Sequence, residues 1–557
     1  MNILEKLSSK KNIIYTAILF LFTLIIISPQ IFFSIRDPSS ATPGLNFLLT
    51  TSFLLVPLFV FYKNLKIYYF FIALYCSLTP ILLLPTIMVN ERISPEIIST
   101  AFHSNPHEIY ELFGWKLLLL LVLIIVFFLG AWYLTTFLPK RIDFRTGIIT
   151  SIASLSFLCT TIYATGDTSI PYLSNVKLEM FKNYPFNLVL STYSIIKTSH
   201  LEKEYLNNTA NFTFGSYKTR QTDKRVIQVL VIGEASRYDH WGINGYYRNT
   251  SPFISNERNL ISFSNVASGA TLTITSVPFL ITRLDVGSIS DHLKEKSIMA
   301  AFKEAGFYTA WISNQNGTYE NITDEFHTAD CDTTIFTNVS GDGDDIFMTP
   351  NYDESVIEPF KKLIKNTSTD LFVVVHTMGS HWRYKYRYPK EYDIFRNADE
   401  KKSSNRINGL IDEYDNSILY SDHILKELIN TLKDADAVTS LLYVSDHGEN
   451  LKDNGGSLMY HSITPNFYTA HVPLFIWLSD DLRKQCPKII QGLTNNKDKP
   501  ISTVQSVFYT TLDLGGINIG VDTNMERYSL TSFHYKSSDQ KIEGESNVVY
   551  SFKDLKR

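Results

Sequence analysis

Hydropathy breaks sharply near residue 165, and that break limits what this chain can fold into more than any other feature. Ahead of it stand five apolar runs, at residues 13–35, 45–62, 67–89, 117–138 and 147–164. Each has about the 17–25 residues a helix needs to cross the hydrocarbon core of a bilayer. Five transmembrane helices are therefore expected. Behind the break the composition is that of a globular protein. The chain divides on this reading into a transmembrane domain at 1–165, a connector at 166–223 and a globular domain at 224–557. The connector mixes apolar patches such as 185–190 with polar runs, a pattern suited to amphipathic helices lying on a bilayer.

Basic residues orient the helices. Lys6, Lys10 and Lys11 precede the first run, Lys63 and Lys66 separate the second from the third, and Lys140, Arg141 and Arg145 separate the fourth from the fifth. Such flanks stay on the cytoplasmic side, so an odd number of crossings puts the globular domain outside the cytoplasm. The first run is too long for the apolar segment of a signal peptide and lacks a small-residue cleavage site, so it is expected to remain as an anchor. His103 and His107 have i, i+4 spacing in the loop 90–115, which reads as a solvated amphipathic surface loop. A net charge of −4 with no basic cluster excludes nucleic acid as a partner. No CxxC pair occurs, which argues against a cysteine zinc site, and Cys331 and Cys486 are the one candidate disulfide outside the apolar runs.

In the globular part, runs at 225–233, 308–313, 371–376 and 440–445 are short and rich in Val, Ile and aromatics. Helical patterns such as 291–305 and 415–432 separate them. Buried strands alternating with helices predict an α/β domain around a mostly parallel sheet. Ligands of such sheets gather beyond the carboxyl ends of the strands. There the chain carries Glu234, then His376 with His381 soon after, then Asp446-His447-Gly448-Glu449. Imidazoles mixed with carboxylates suit Zn2+, whereas Mg2+ prefers oxygen alone. A nucleophilic hydroxyl is expected within 268–278 (SGATLTITSVP), activated by that metal. Composition leaves Thr271, Thr273, Thr275 and Ser276 open, and the same hydroxyls suit a helix start.

These residues also form a familiar pattern. Val231-Ile232-Gly233-Glu234-Ala235-Ser236-Arg237 leads to Asn244-Gly245-Tyr246, Arg248 and Thr250-Ser251-Pro252. Phe263-Ser264-Asn265-Val266, Ser276-Val277-Pro278 and Ser445-Asp446-His447-Gly448-Glu449 follow in order. The series resembles the phosphoethanolamine transferases of the alkaline phosphatase/sulfatase superfamily, and the resemblance spans nearly the whole chain. It implies a zinc-dependent enzyme in a bacterial inner membrane, multi-pass, with its catalytic domain in the periplasm. Thr273 would be the nucleophile, and Glu234, Asp446 and His447 would bind zinc together with Thr273. His381 and His461 would contact the transferred phosphate or move a proton. His376 matches no family position and reads as a core or supporting residue.

The donor implied is phosphatidylethanolamine and the acceptor a lipopolysaccharide, at core heptose or lipid A, through a phospho-threonine intermediate. Added amines would lower surface negative charge, so resistance to cationic antimicrobial peptides is an associated expectation. Two features depart from lipid A-modifying members. Ser268-Gly269-Ala270 and Phe279 stand where those members carry cysteine, and the run Tyr384-Lys385-Tyr386-Arg387-Tyr388-Pro389 looks like heptose-modifying members. The aromatic and basic side chains of 382–388 also suit an anionic sugar lipid. A phosphoglycerol transferase or phosphodiesterase of the same superfamily, or transfer to another periplasmic glycan, is the alternative. A catalytically silent lipid-binding scaffold predicts a broken metal set, which this sequence does not have.

Overall fold

All five apolar runs of the N-terminal part are helical, but two of them are interrupted. Helices α1 (Lys10–Ile26) and α2 (Ser28–Arg36) share the first run, parted by a turn at Ile27. Helices α3 (Pro43–Leu55) and α4 (Leu58–Phe61) share the second, parted at Pro57, which has no N–H to continue the ladder. The remaining runs form α5 (Leu65–Met88), α6 (Lys116–Thr135) and α7 (Phe144–Ala164). Two spans among the described residues, Leu65–Leu83 and Leu118–Thr135, are long and apolar enough to cross a membrane. Ile13–Ile26, Asn46–Phe61 and Phe144–Thr160 are shorter apolar helices. Phe22, Ile26, Ile72, Ala73 and Cys76 form the interior of this bundle. Tyr68 and Tyr69 tie its turns together, donating to the carbonyls of Leu54 at 2.7 Å and Pro139 at 2.8 Å.

This computed structural model describes residues 10–36, 43–88, 116–164, 205, 207–288, 294–316, 330–338, 352–396, 406–455, 460–461, 463–520, 524–537, 539–544 and 548–555. The loop 90–115 with His103 and His107, and the connector as far as residue 204, lie outside them. The chain forms two compact units, Met1–Ser104 with Glu108–Thr198, and Asn105–His107 with Ser199–Arg557.

The second unit is organised by a seven-stranded sheet. Its strands are β1 (Val226–Gly233), β2 (Leu260–Phe263), β3 (Tyr308–Asn316), β4 (Thr333–Asn338), β5 (Leu371–His376), β6 (Val438–Ser445) and β7 (Leu474–Leu478). Their order is β2-β7-β6-β1-β5-β3-β4. The strands from β6 through β4 pair in parallel, as the buried runs predict. The sheet is nevertheless mixed, because β7 runs antiparallel to both β6 and β2.

Helices cover both faces: α8 (Thr273–Ile281), α9 (Ile298–Glu304), α10 (Ile357–Asn366), α11 (Arg406–Lys433) and α12 (Thr503–Gly515). Alternation along β1 explains the two layers. Leu230 and Ile232 join a core with Val277, Phe302, Phe508 and Leu512. Ile227, Val229 and Val231 join the opposite core with Phe360, Ile418, Leu425 and Leu428. A strand buried on both faces has no place for a charge until it ends, so the charged residues appear at its end. Register then aligns those ends: Ile232 pairs with His376, Gly233 with Ser445, and Ser313 with His376.

Cys331 and Cys486 are both free thiols, so the disulfide considered for them is not formed. Instead, the Arg220 guanidinium donates to the Cys486 sulfur at 3.4 Å.

Candidate active site at the carboxyl edge of the sheet

The carboxyl ends of β1 and β6 deliver the first three groups. Glu234 follows β1, and Asp446 and His447 follow β6. Ligand atoms of these three buried residues all lie within 4.8 Å of one another. The backbone turns sharply here, Ala235 holding a φ of 54°. Asp446 Oδ1 secures both strand ends, accepting from the Ala235 N–H at 3.2 Å and the His447 N–H at 2.7 Å. Ser445 Oγ accepts from the Ser236 N–H at 2.9 Å and donates to the His447 carbonyl at 2.8 Å.

Thr273 arrives from another direction, as the first residue of α8. Its hydroxyl donates to Glu234 Oε2 at 2.9 Å and lies 3.3 Å from His447 Nε2. Ser276, one turn on, is 3.4 Å from the Thr273 carbonyl as a donor, so its hydroxyl serves the helix. The start of a helix adds a positive dipole end beside the threonine, which favours negative charge there.

The nest is built for a cation. His447 Nδ1 lies 2.8 Å from the Gly448 carbonyl, so it donates and leaves Nε2 with its lone pair in the neutral ring. That Nε2 faces Glu234 Oε1 at 3.2 Å and Asp446 Oδ2 at 3.5 Å, and neither oxygen has a hydrogen-bond donor. Three lone-pair atoms without donors, all buried, demand positive charge. The titration behaviour says the same. Burial and the Glu234 charge push Asp446 up to about 6. Burial opposes protonation of His447, yet Asp446 and Glu234 push it up to about 10. Burial also works against an ionised Glu234, but the charge of His447 and its hydrogen bond hold it well below the usual carboxylate range. The mixed carboxylate–imidazole–hydroxyl donor set fits Zn2+.

His381 and His461 complete the cluster. Their rings are 6.1 Å apart, and the His461 ring is 4.6 Å from that of His447. Burial pushes His381 down to about 3 against the pull of Glu234, with Arg387 and the other two histidines adding to the fall, so its imidazole is neutral. The loop carrying it is anchored by Asp353, which accepts from the Met378 N–H at 2.8 Å and the Gly379 N–H at 2.9 Å. Gly379 holds a φ of 47° and lies so close to Glu234 that an added Cβ would meet its backbone nitrogen at 2.9 Å and oxygen at 2.8 Å. His376, the last residue of β5, stays in the core, edge-on to the Trp311 ring at 6.1 Å.

Four contributors carry no role in the sequence reading. Glu449 is fully buried, 3.5 Å from His461 Nδ1, and burial raises it against His461 and His447. Its presence beside Asp446-His447 was the available signal. Asp353 offered none, because nothing in its neighbourhood in the sequence sets it apart from other acids. Tyr414 and Asp415 on α11 clamp the loop after β1. Tyr414 donates to the Ala235 carbonyl at 2.7 Å and accepts from the Arg237 N–H at 2.9 Å. Asp415 collects His240 at 2.6 Å, Tyr246 at 2.9 Å and Arg248 at 2.7 Å.

Residues 227–517 match the sulfatase family. Over 506 residues, 86% of this chain and 85% of the relative, the chain is 26% identical to phosphoethanolamine transferase EptC of Escherichia coli O18:K1:H7 (strain RS218). The structure resembles that of the integral membrane protein lipooligosaccharide phosphoethanolamine transferase A (EptA) from Neisseria meningitidis. There the TM-score is 0.69 at 20% identity, covering 93% of this chain and 97% of that one. The C-terminal periplasmic domain of EptC from Escherichia coli, solved in complex with Zn, aligns with a TM-score of 0.54 at 24% identity. That alignment covers 61% of this chain and 96% of the domain.

Proposed function

Because the chain belongs to the sulfatase family and its extensive likeness is to phosphoethanolamine transferases, we propose that it transfers phosphoethanolamine from phosphatidylethanolamine to a lipopolysaccharide acceptor. The observation that carries this reading is the Thr273 hydroxyl, at a helix start and 2.9 Å from Glu234 inside the buried Glu234–Asp446–His447 nest. In this reading residues 1–165 cross a bacterial inner membrane five times, and 224–557 work in the periplasm. The outward apolar helices support the first part.

Glu234, Thr273, Asp446 and His447 would hold Zn2+. A bound Zn2+ supplies the charge that makes the threonine oxygen nucleophilic near neutral pH. Thr273 Oγ passes its proton to Glu234 Oε2, to which it already donates, and bonds to the donor phosphorus while the phosphorus–oxygen bond to diacylglycerol breaks. His461 gives a proton to the departing glycerol oxygen. The acceptor oxygen then bonds to phosphorus and returns its proton to His461, while the bond from phosphorus to Thr273 Oγ breaks and Thr273 takes its proton back from Glu234. Neutral His381 donates an N–H to the phosphoryl oxygens without adding charge. Splitting transfer into two steps lets two bulky lipids use one site in turn. The added amines reduce surface negative charge, which would protect against cationic peptides.

Intact mass spectrometry after incubation with phosphatidylethanolamine and Zn2+ tests the reading. A phosphoethanolamine-sized adduct is expected on the wild-type chain and absent from Thr273→Ala, whose transfer rate should fall roughly 1,000-fold or more. Normal transfer by Thr273→Ala would sink the mechanism.

A further inference from the structure

The aromatic and basic run at 382–388 does not form one surface. Tyr384, Arg387 and Tyr388 turn inward and are buried. The Tyr384 ring stands edge-on to Tyr414 at 4.9 Å, and Arg387 Nε donates to the His381 carbonyl at 3.3 Å. Trp382, Arg383, Lys385 and Tyr386 remain partly or fully open to solvent. They sit on a single 3-10 turn, Tyr384–Tyr386, and on the two residues before it.

These four make a continuous wall with Tyr460. The Arg383 guanidinium lies 5.9 Å from the Trp382 ring and 5.8 Å from the Tyr386 ring. Lys385 Nζ is 4.9 Å from Tyr386, and Trp382 meets Tyr460 edge-on at 5.7 Å. The chain ties this wall to the chemistry directly, since Trp382 follows His381 and Tyr460 precedes His461. Arg383 and Tyr460 both hold left-handed backbone, with φ of 61° and 66°. Non-glycine residues keep that conformation only where their surroundings impose it.

The charge balance of the wall is one-sided. Among the described residues neither Arg383 nor Lys385 has an acidic partner within ion-pair distance, and Glu413 acts on Lys385 through space alone. A sugar offers flat apolar C–H faces to aromatic rings, and phosphate or carboxylate groups on it satisfy guanidinium and ammonium. The ethanolamine headgroup of the donor ends in an ammonium, which this wall repels. We propose that Trp382, Tyr386 and Tyr460, with Arg383 and Lys385, form the acceptor subsite, which takes an anionic saccharide headgroup and holds it beside His381 and His461. This rests on the two-step transfer proposed above.

The full-length chain tests the subsite in two arms. In the first, Trp382→Ala and the double variant Arg383→Ala/Lys385→Ala are charged with phosphatidylethanolamine and then given O-deacylated lipopolysaccharide. The Thr273 adduct should still form, while KM for the saccharide rises about tenfold or more. Arg383→Lys should recover part of the loss carried by charge. Unchanged KM, or adduct formation lost in step with transfer, overturns the proposal. In the second arm, binding of O-deacylated lipopolysaccharide to Thr273→Ala is compared with and without the wall substitutions. Binding weakened about tenfold by them supports the subsite, and equal or absent binding overturns it. This arm needs no chemistry. A wild-type chain that forms no adduct therefore counts against the donor reaction, while the binding comparison still decides the wall.

Discussion

On α6, Leu118, Ile125 and Leu129 leave 68%, 57% and 57% of their surface open, whereas on β1 Val229, Leu230 and Val231 leave 0%, 0% and 1%. The side chains are of one kind and their placements are opposite. A water-soluble unit cannot present such a face, since contiguous exposed apolar surface mediates association. A helix satisfies its own backbone hydrogen bonds and so tolerates a surround that offers none. A sheet satisfies its backbone between neighbouring strands, and apolar side chains on both of its faces need helices to cover them, so its ends are the first places where charge can be held. The difference suits the first unit to anchoring and the second to chemistry: α6 turns apolar residues out, whereas β1 turns them in and its sheet collects polar groups at one edge.

The contrast can be broken by paired truncation. Leu230→Ala should cost about 2–5 kcal/mol in unfolding of the full-length chain in detergent, because a fully buried strand residue leaves a cavity. Leu129→Ala should cost about 0.5 kcal/mol or less. An equal cost at both positions would mean that the outer face of α6 packs against protein. Asp415→Ala comes next, because it removes a buried carboxylate that partners His240 and Tyr246 and is one of the two acids, with Asp412, that hold Arg248. A loss of about 3 kcal/mol is expected in the same unfolding measurement. A loss under about 1 kcal/mol would remove the clamp from the account of the site.

Gly379→Ala should leave the fold in place and lower transfer roughly 10- to 100-fold, because its Cβ displaces the backbone of Glu234. Zinc content measured alongside should fall with activity; retained zinc and rate would show the close approach to be dispensable. A further effect is expected on acid stability. His381 titrates near 6.5 in the unfolded chain and at about 3 in the folded one, so between these values the unfolded chain binds the extra proton. Stability from this group is complete above pH 6.5 and drains as pH falls toward 3. His381→Gln should flatten that slope in thermal melts taken from pH 7 to pH 4, and an unaltered slope would assign it to other groups.

The strand runs and the order of the strand-end residues were legible, because hydropathy and strand periodicity are local properties. Interruption of the first two apolar runs had its signal in Pro29, two residues after the turn at Ile27, and in Pro57, since neither has an N–H to continue the ladder. The reversed direction of β7 was not legible, since an apolar run reads the same both ways.

By itself, then, the amino-acid order determined which segments become apolar helices or buried strands and which carboxylates, imidazoles and hydroxyls end up near strand and helix ends. Only the tertiary structure decided that Thr273 Oγ reaches Glu234 across 39 residues, and that Tyr414 and Asp415 brace the loop after β1 from more than 160 residues away. It also decided that 382–388 splits into an inner and an outer face. The reason is geometric: hydrophobic burial acts without direction and can be read from a window of residues. Hydrogen bonds and ligand sites depend on ångström-scale register between elements far apart in the chain.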